Sequence, residues 1–272
     1  MRKIFEYIGL ITLMCFSFFV TEKTSMIAKN VDEIMINIKE KYKQYETESE
    51  NAIIDGNTII PGKCSRKVNI DKSYNEMKKL GMYDDKLYQY EYSYPNISLT
   101  NNYDKLIIAG NNKKEKIYIF IELDYFNKKI INNYDFKNYN FIVNYEFYQE
   151  NVSLIRKLIK NDNSIILNST SFKNYKKISN DYLDRTSKKI YCYNENNDDY
   201  LKICSSNKSS SIGNIKEISD NYLLYAKKEL VRGKFFKFSL NENLINNIQF
   251  VESYIESKGL TISNIDSELQ EC

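Results

Sequence analysis

An unbroken apolar run opens the chain. Residues 8–20 (IGLITLMCFSFFV) carry no charge, follow the basic Arg2 and Lys3, and give way to the polar Thr21-Glu22-Lys23-Thr24. That is the layout of an export signal. The run is shorter than the roughly 20 residues of a comfortable spanning helix, although Ile4, Phe5 and Tyr7 extend it. No small-x-small cleavage site follows, which favours an uncleaved anchor at 1–25 over a removed signal peptide. Arg2 and Lys3 then stay cytoplasmic and the remainder lies outside the cell membrane.

Beyond the anchor, Val31, Ile34, Met35, Ile38 and Tyr42 recur at helical spacing, which predicts a stalk helix over 26–47. The segment 58–62 reads as extended and closed by a turn. A short helix follows over 71–80, capped by Asp71 with Lys78 and Lys79 at its far end. The alternation of YQYEYSY predicts a strand over 88–94. The second half changes rhythm. IYIFIEL at 117–123 is nearly continuous apolar, as in a strand covered on both faces. Further strands are predicted at 140–143, 164–167, 189–193 and 235–240. Helices are predicted at 150–160, at 222–232 with Gly233 as C-cap, and at 244–258 with Gly259 as stop. Strands alternating with helices indicate a βα architecture with parallel strands. The polar stretch NNKKEK at 111–116 marks the expected boundary between a small mixed α+β domain at 26–112 and an α/β domain at 113–272.

Composition narrows the chemistry. The 272 residues contain no histidine, so a Ser-His-Asp triad, a Cys-His pair and a His-ligated zinc are excluded. Lys plus Arg number 39 against 36 Asp plus Glu, with no dense basic block, which points away from nucleic acid. Of the five cysteines, Cys15 lies in the apolar run. Cys192 and Cys204 bracket a polar segment of a length suited to a loop-closing disulfide in an oxidising compartment. The pairing of Cys64 and Cys272 is left open by the sequence.

The order of elements over 117–270 resembles the NodB-type polysaccharide deacetylases, which remove acetyl groups from N-acetylated glycans with a divalent metal. The first half also resembles the N-terminal segment of membrane-anchored clostridial deacetylase-like proteins. There it rests on NTIIPG at 57–62, KVN at 67–69, SYNEMKK at 73–79, and Tyr103-Asp104-Lys105 ahead of Gly110-Asn111.

The resemblance implies an incomplete β/α barrel and assigns places to four motifs. The family's T-F-D-D-G strand end falls on Phe120-Ile121-Glu122-Leu123-Asp124. This puts Glu122 in the base position, Leu123 in that of the metal-binding Asp and Asp124 in that of the glycine. Strand periodicity sets Glu122 and Asp124 on one face. The H-S/T-x-x-H motif falls on 168–173, with Ser169 and Lys173 where imidazole ligands belong. The third motif falls near Ile190-Tyr191-Cys192-Tyr193, without its Arg or Pro. The last places Ser239 where the acid histidine belongs. A hydroxyl is a poor ligand and an ammonium repels a cation, so the metal is expected to be lost and no cofactor retained.

The expectation is therefore an extracytoplasmic deacetylase homologue without catalysis, with cell-wall polysaccharide or peptidoglycan as its partner. Two alternatives stand beside it. One is an active deacetylase with an atypical site around Glu122 and Asp124. The other is a membrane-tethered interaction module with no glycan ligand.

Overall fold

The computed structural model describes residues 2–168, 171–195, 197–213, 215–269 and 271–272. The helices are α1 (Arg2–Asn30), α2 (Glu33–Lys41), α3 (Ile70–Leu80), α4 (Tyr145–Glu150), α5 (Val152–Lys160), α6 (Phe172–Thr186), α7 (Asp198–Ser206), α8 (Tyr222–Glu229), α9 (Glu242–Ser257) and α10 (Ile265–Glu268). The strands of the first half are β1 (Ile53–Asp55), β2 (Thr58–Ile60), β3 (Ser65–Val68), β4 (Tyr90–Ser93) and β5 (Leu106–Ile107). Those of the second are β6 (Lys116–Leu123), β7 (Asn140–Asn144), β8 (Ser164–Asn168), β9 (Tyr191–Tyr193), β10 (Ser211–Ile212), β11 (Glu217–Ile218), β12 (Phe235–Phe238) and β13 (Thr261–Ile262).

The chain divides into two compact units, Met1–Glu48 with Ser65–Ser93, and Ser49–Cys64 with Tyr94–Cys272. The boundary expected at 111–116 thus falls inside the larger unit. The reason is backbone pairing: β5 and β2 run parallel to one another, and β5 runs parallel to β10. A sheet edge needs partners for its N–H and C=O groups, and this one takes them from the first half of the chain.

In the smaller unit, Ile34, Ile38, Val68, Met77 and Tyr88 form the core, beside the antiparallel β3–β4 ribbon. The helix expected at 26–47 is interrupted, because the Asp32 carboxylate accepts from Ile34 N at 2.9 Å and starts α2 afresh. Asn69, not Asp71, caps α3, its Oδ1 accepting from Lys72 N at 2.8 Å. Among the described residues, α1 is the one helix long and apolar enough to cross a membrane, and none of its apolar window is buried.

In the larger unit, eleven described strands form one sheet in the order β1-β2-β5-β10-β9-β8-β7-β6-β12-β11, with β13 pairing the first residues of β6. From β2 to β11 every pairing is parallel. Successive side chains leave opposite faces of a strand, and the two faces have separate cores. Tyr118, Phe120, Ile142, Ile166, Tyr193, Ile212 and Phe235 pack on the concave side. Ile119, Ile121, Leu123, Phe141, Val143, Ile165 and Leu167 meet the helix layer, including Tyr175, Ile178, Leu244, Ile248 and Val251.

The sheet curls far enough for distant strands to meet. Gly110, just past β5, donates its N–H to Gly233 O at 2.8 Å, ahead of β12. The result is an incomplete barrel, as expected from the resemblance. The helix expected at 150–160 is α5, and a short helix the sequence did not announce, α4, precedes it; between them the Asn151 side chain donates to Phe147 O at 2.8 Å. Helix α8 ends at Glu229, and Leu230 is extended. Gly233 is therefore no C-cap. It takes φ +77° where the backbone passes Gly110.

Candidate functional site

Ligands of parallel α/β sheets gather at the carboxyl ends of the strands. There β6 ends with Tyr118, Phe120 and Glu122 on the concave face, and Leu123 turned into the helix layer and 1% exposed. The position that the resemblance assigns to a metal-binding acid is thus a core leucine. On β12 the same alternation puts Phe235 on the concave side and Phe236 and Phe238 on the other. Lys237 lies between them. Its side chain is 4% exposed, and its ammonium meets Glu122 Oε2 at 2.8 Å, Glu195 Oε1 at 3.2 Å and Glu217 Oε2 at 3.6 Å. The same ammonium lies 4.9 Å from the ring centre of Tyr193.

Each partner is delivered by a different strand. Glu217 of β11 is in register with Lys237 itself. Glu195 follows β9, separated from β12 by three intervening strands in the sheet order, and reaches Lys237 because the sheet curls. Burial pulls the Lys237 pKa down. The hydrogen bond with Glu122, the neighbouring Tyr193 and the Glu195 carboxylate outweigh that, and the ammonium is held above the ordinary lysine value. A buried charge survives only when paired in this way.

Of the residues singled out by sequence, Glu122 stands in this cluster, and Ser239 joins it indirectly by donating from Oγ to Glu217. Asp124 has a different task. Its Oδ1 accepts from Phe126 N and Asn127 N, both at 2.9 Å, while Asn127 donates back to Glu122 O at 2.8 Å. It closes the loop after β6. Lys173 is exposed on the first turn of α6, and Ser169 lies outside the described residues. Lys237, Glu195 and Glu217 were missed by sequence reasoning. The available signal was the single charge in the strand FFKF, which a buried strand tolerates only with a carboxylate to meet it.

A metal fits this arrangement poorly. Among the described residues no group of three or more Cys, Asp or Glu is arranged to hold an ion. Where the three glutamates converge, the meeting point is filled by an ammonium, which has no lone pair for an ion or for proton abstraction. Two disulfides frame the larger unit. Cys192–Cys204 ties β9 to α7, as expected from their spacing, and Cys64–Cys272 settles the pairing left open by the sequence.

The larger unit has the fold of the CE4 carbohydrate esterases, the NodB-type polysaccharide deacetylases. No family model matches the sequence. Wild-type BA3943 of Bacillus anthracis, a CE4 family pseudoenzyme, superposes with a TM-score of 0.60 at 19% identity, covering 88% of this chain and 96% of that one. The Bc1960 peptidoglycan N-acetylglucosamine deacetylase superposes with a TM-score of 0.51 at 11% identity, covering 60% of this chain and 92% of its own. In sequence, the uncharacterized protein YlxY of Bacillus subtilis is 26% identical over 178 residues, 61% of this chain. The chain spans 56% of that relative's length.

Proposed function

We propose that this protein is a catalytically inactive CE4-fold protein, held outside the cell membrane by α1, that binds N-acetylated cell-wall glycan without hydrolysing it. The observation that carries the reading is the Lys237 ammonium among Glu122, Glu195 and Glu217 at the mouth of the barrel. In a histidine-free chain it leaves neither a Lewis acid for the carbonyl nor an imidazole for the leaving amine. Asp124 is engaged in its turn, which argues against an atypical active site built on Glu122 and Asp124.

Glycan binding is supported by rings displayed at the same end of the barrel. Tyr125 is 49% exposed, Phe126 93% and Phe172 50%. Flat apolar faces beside half-exposed carboxylates suit a sugar, whose C–H faces stack and whose hydroxyls donate. The peptidoglycan deacetylase among the similar structures supports a cell-wall partner, and the two disulfides support an oxidising, extracytoplasmic location.

The test uses the full chain in detergent with N-acetylglucosamine oligomers and peptidoglycan fragments. Acetate release should stay at background with or without added Mn²⁺ or Zn²⁺, and fragment binding should fall at least tenfold in Phe126→Ala/Phe172→Ala. Release above background that is lost in Glu122→Gln would establish an active enzyme instead. Absence of binding in the folded wild type would leave a tethered interaction module.

A further inference from the structure

We propose that the Lys237 ammonium is a tethered replacement for a divalent cation: it gathers three carboxylates at the barrel mouth and keeps free metal out. This goes beyond the glycan reading and does not depend on it.

The geometry gives the reason. Glu122, Glu195 and Glu217 come from three separate strand ends, and each has an oxygen within 3.6 Å of one nitrogen. Three carboxylates so placed repel one another, and a positive charge at their meeting point is what allows the arrangement. The lysine stem is buried and its ammonium packs over the Tyr193 ring, so the charge is fixed on the strand and not borrowed from solvent.

The carboxylates are half-exposed, at 41%, 50% and 45% of their side-chain surface, which leaves them room to move. A hard cation binds carboxylate oxygens at about 2.0 to 2.6 Å, closer than the ammonium does. Without the lysine nitrogen, the three groups would need to approach by roughly an ångström to hold one. The cluster is therefore a cation site already supplied with its cation.

The experiment compares the full chain and Lys237→Met in detergent, each in EDTA and then with Mn²⁺ or Ca²⁺, by thermal unfolding. The wild type should melt at the same temperature throughout. Lys237→Met should melt lower in EDTA and recover by about 5 °C or more at saturating metal, the shift expected for an ion at 100 times its dissociation constant. Adding Glu195→Gln and Glu217→Gln to Lys237→Met should abolish that recovery while raising the melting temperature in EDTA, since the repulsion is then gone. Metal stabilisation of the wild type, or a folded Lys237→Met that ignores both ions, overturns the proposal.

If Lys237→Met does not fold, two measurements decide. The triple variant must fold, because it removes the repulsion as well as the lysine. In the wild type, Mn²⁺ must leave the Lys237 side-chain NMR signals unbroadened. Failure of either overturns it.

Discussion

The Cys192–Cys204 bridge offers a test in which the magnitude follows from chain length. Both cysteines are fully buried, one on β9 and one on α7, with Cα atoms 6.4 Å apart and a sequence separation of 12. Closing a loop of that length removes about 3 kcal/mol of conformational freedom from the unfolded chain. Cys192→Ala/Cys204→Ala should therefore lower the unfolding free energy by about 3 kcal/mol or slightly more, and the melting temperature by roughly 6 to 12 °C.

The second bridge sharpens the test. Cys64–Cys272 spans 208 positions, and the same relation gives about 5 kcal/mol for its removal. Urea unfolding followed by circular dichroism measures both, with the denaturant slope reporting any change in the unfolded state. Before that, thiol titration of the denatured, unreduced chain should find one free cysteine, Cys15. Three or five free thiols would remove one bridge or both. A loss below about 1 kcal/mol for the 192–204 pair, or a larger loss there than for 64–272, would refute the loop-closure reasoning.

Asp266 gives a pH dependence. Burial pushes its carboxyl above the ordinary value of 3.8, against the pull of Tyr182, Ser164 and Lys188. The folded chain then keeps a proton that the unfolded chain has released, so stability falls as pH rises from about 4 through the folded value. Glu271, likewise raised by burial, adds in the same direction. Melting temperatures between pH 4 and 7 should therefore slope less in Asp266→Asn. The depressed Asp181 acts only below that window, where its contribution is lost as pH falls.

Asn140, fully buried on β7, donates to Ile119 O at 3.1 Å and Ser263 O at 3.3 Å and accepts from Ile265 N at 2.8 Å. Asn140→Leu strands those groups and should cost about 3 to 5 kcal/mol in urea unfolding. Gly233→Ala places a Cβ 2.3 Å from Gly110 O at φ +77°, whereas Gly259→Ala, at φ +71°, meets nothing within 4 Å. The first should destabilise clearly more than the second when both are melted side by side.

Legibility in the sequence followed the amount of local signal. The long runs announced themselves: IYIFIEL became β6, and the amphipathic stretch near 244–258 became α9. Strands β10, β11 and β13 have two residues each, too few for any alternation to show. Helix α6, though fifteen residues long, hid its apolar stripe in tyrosines, with Tyr175, Ile178 and Tyr182 buried among charges.

The site was half legible for a related reason. Glu122 could be placed by motif, because a strand end is local. Its partners could not, since Glu195 and Lys237 are brought together only by the curl of the whole sheet. Asp124 shared a face with Glu122 by periodicity, but periodicity does not reveal that its carboxylate is spent on Phe126 and Asn127.

The pairing of β5 with β10 bears on how this protein can be divided. A fragment beginning at residue 113 retains β6 to β13 but loses β1, β2 and β5, and with them the cover over β10. It also loses Cys64, freeing the thiol of Cys272. Bare strand edges recruit strands from other molecules, and a loose thiol lets such encounters become covalent. Such a fragment is headed for aggregates and mixed dimers, however complete its deacetylase-like portion looks in the sequence. The piece to express starts after α1, at Val31, so that Ile34 and Ile38 stay packed with Val68, Met77 and Tyr88 and residues 49–112 stay with the sheet.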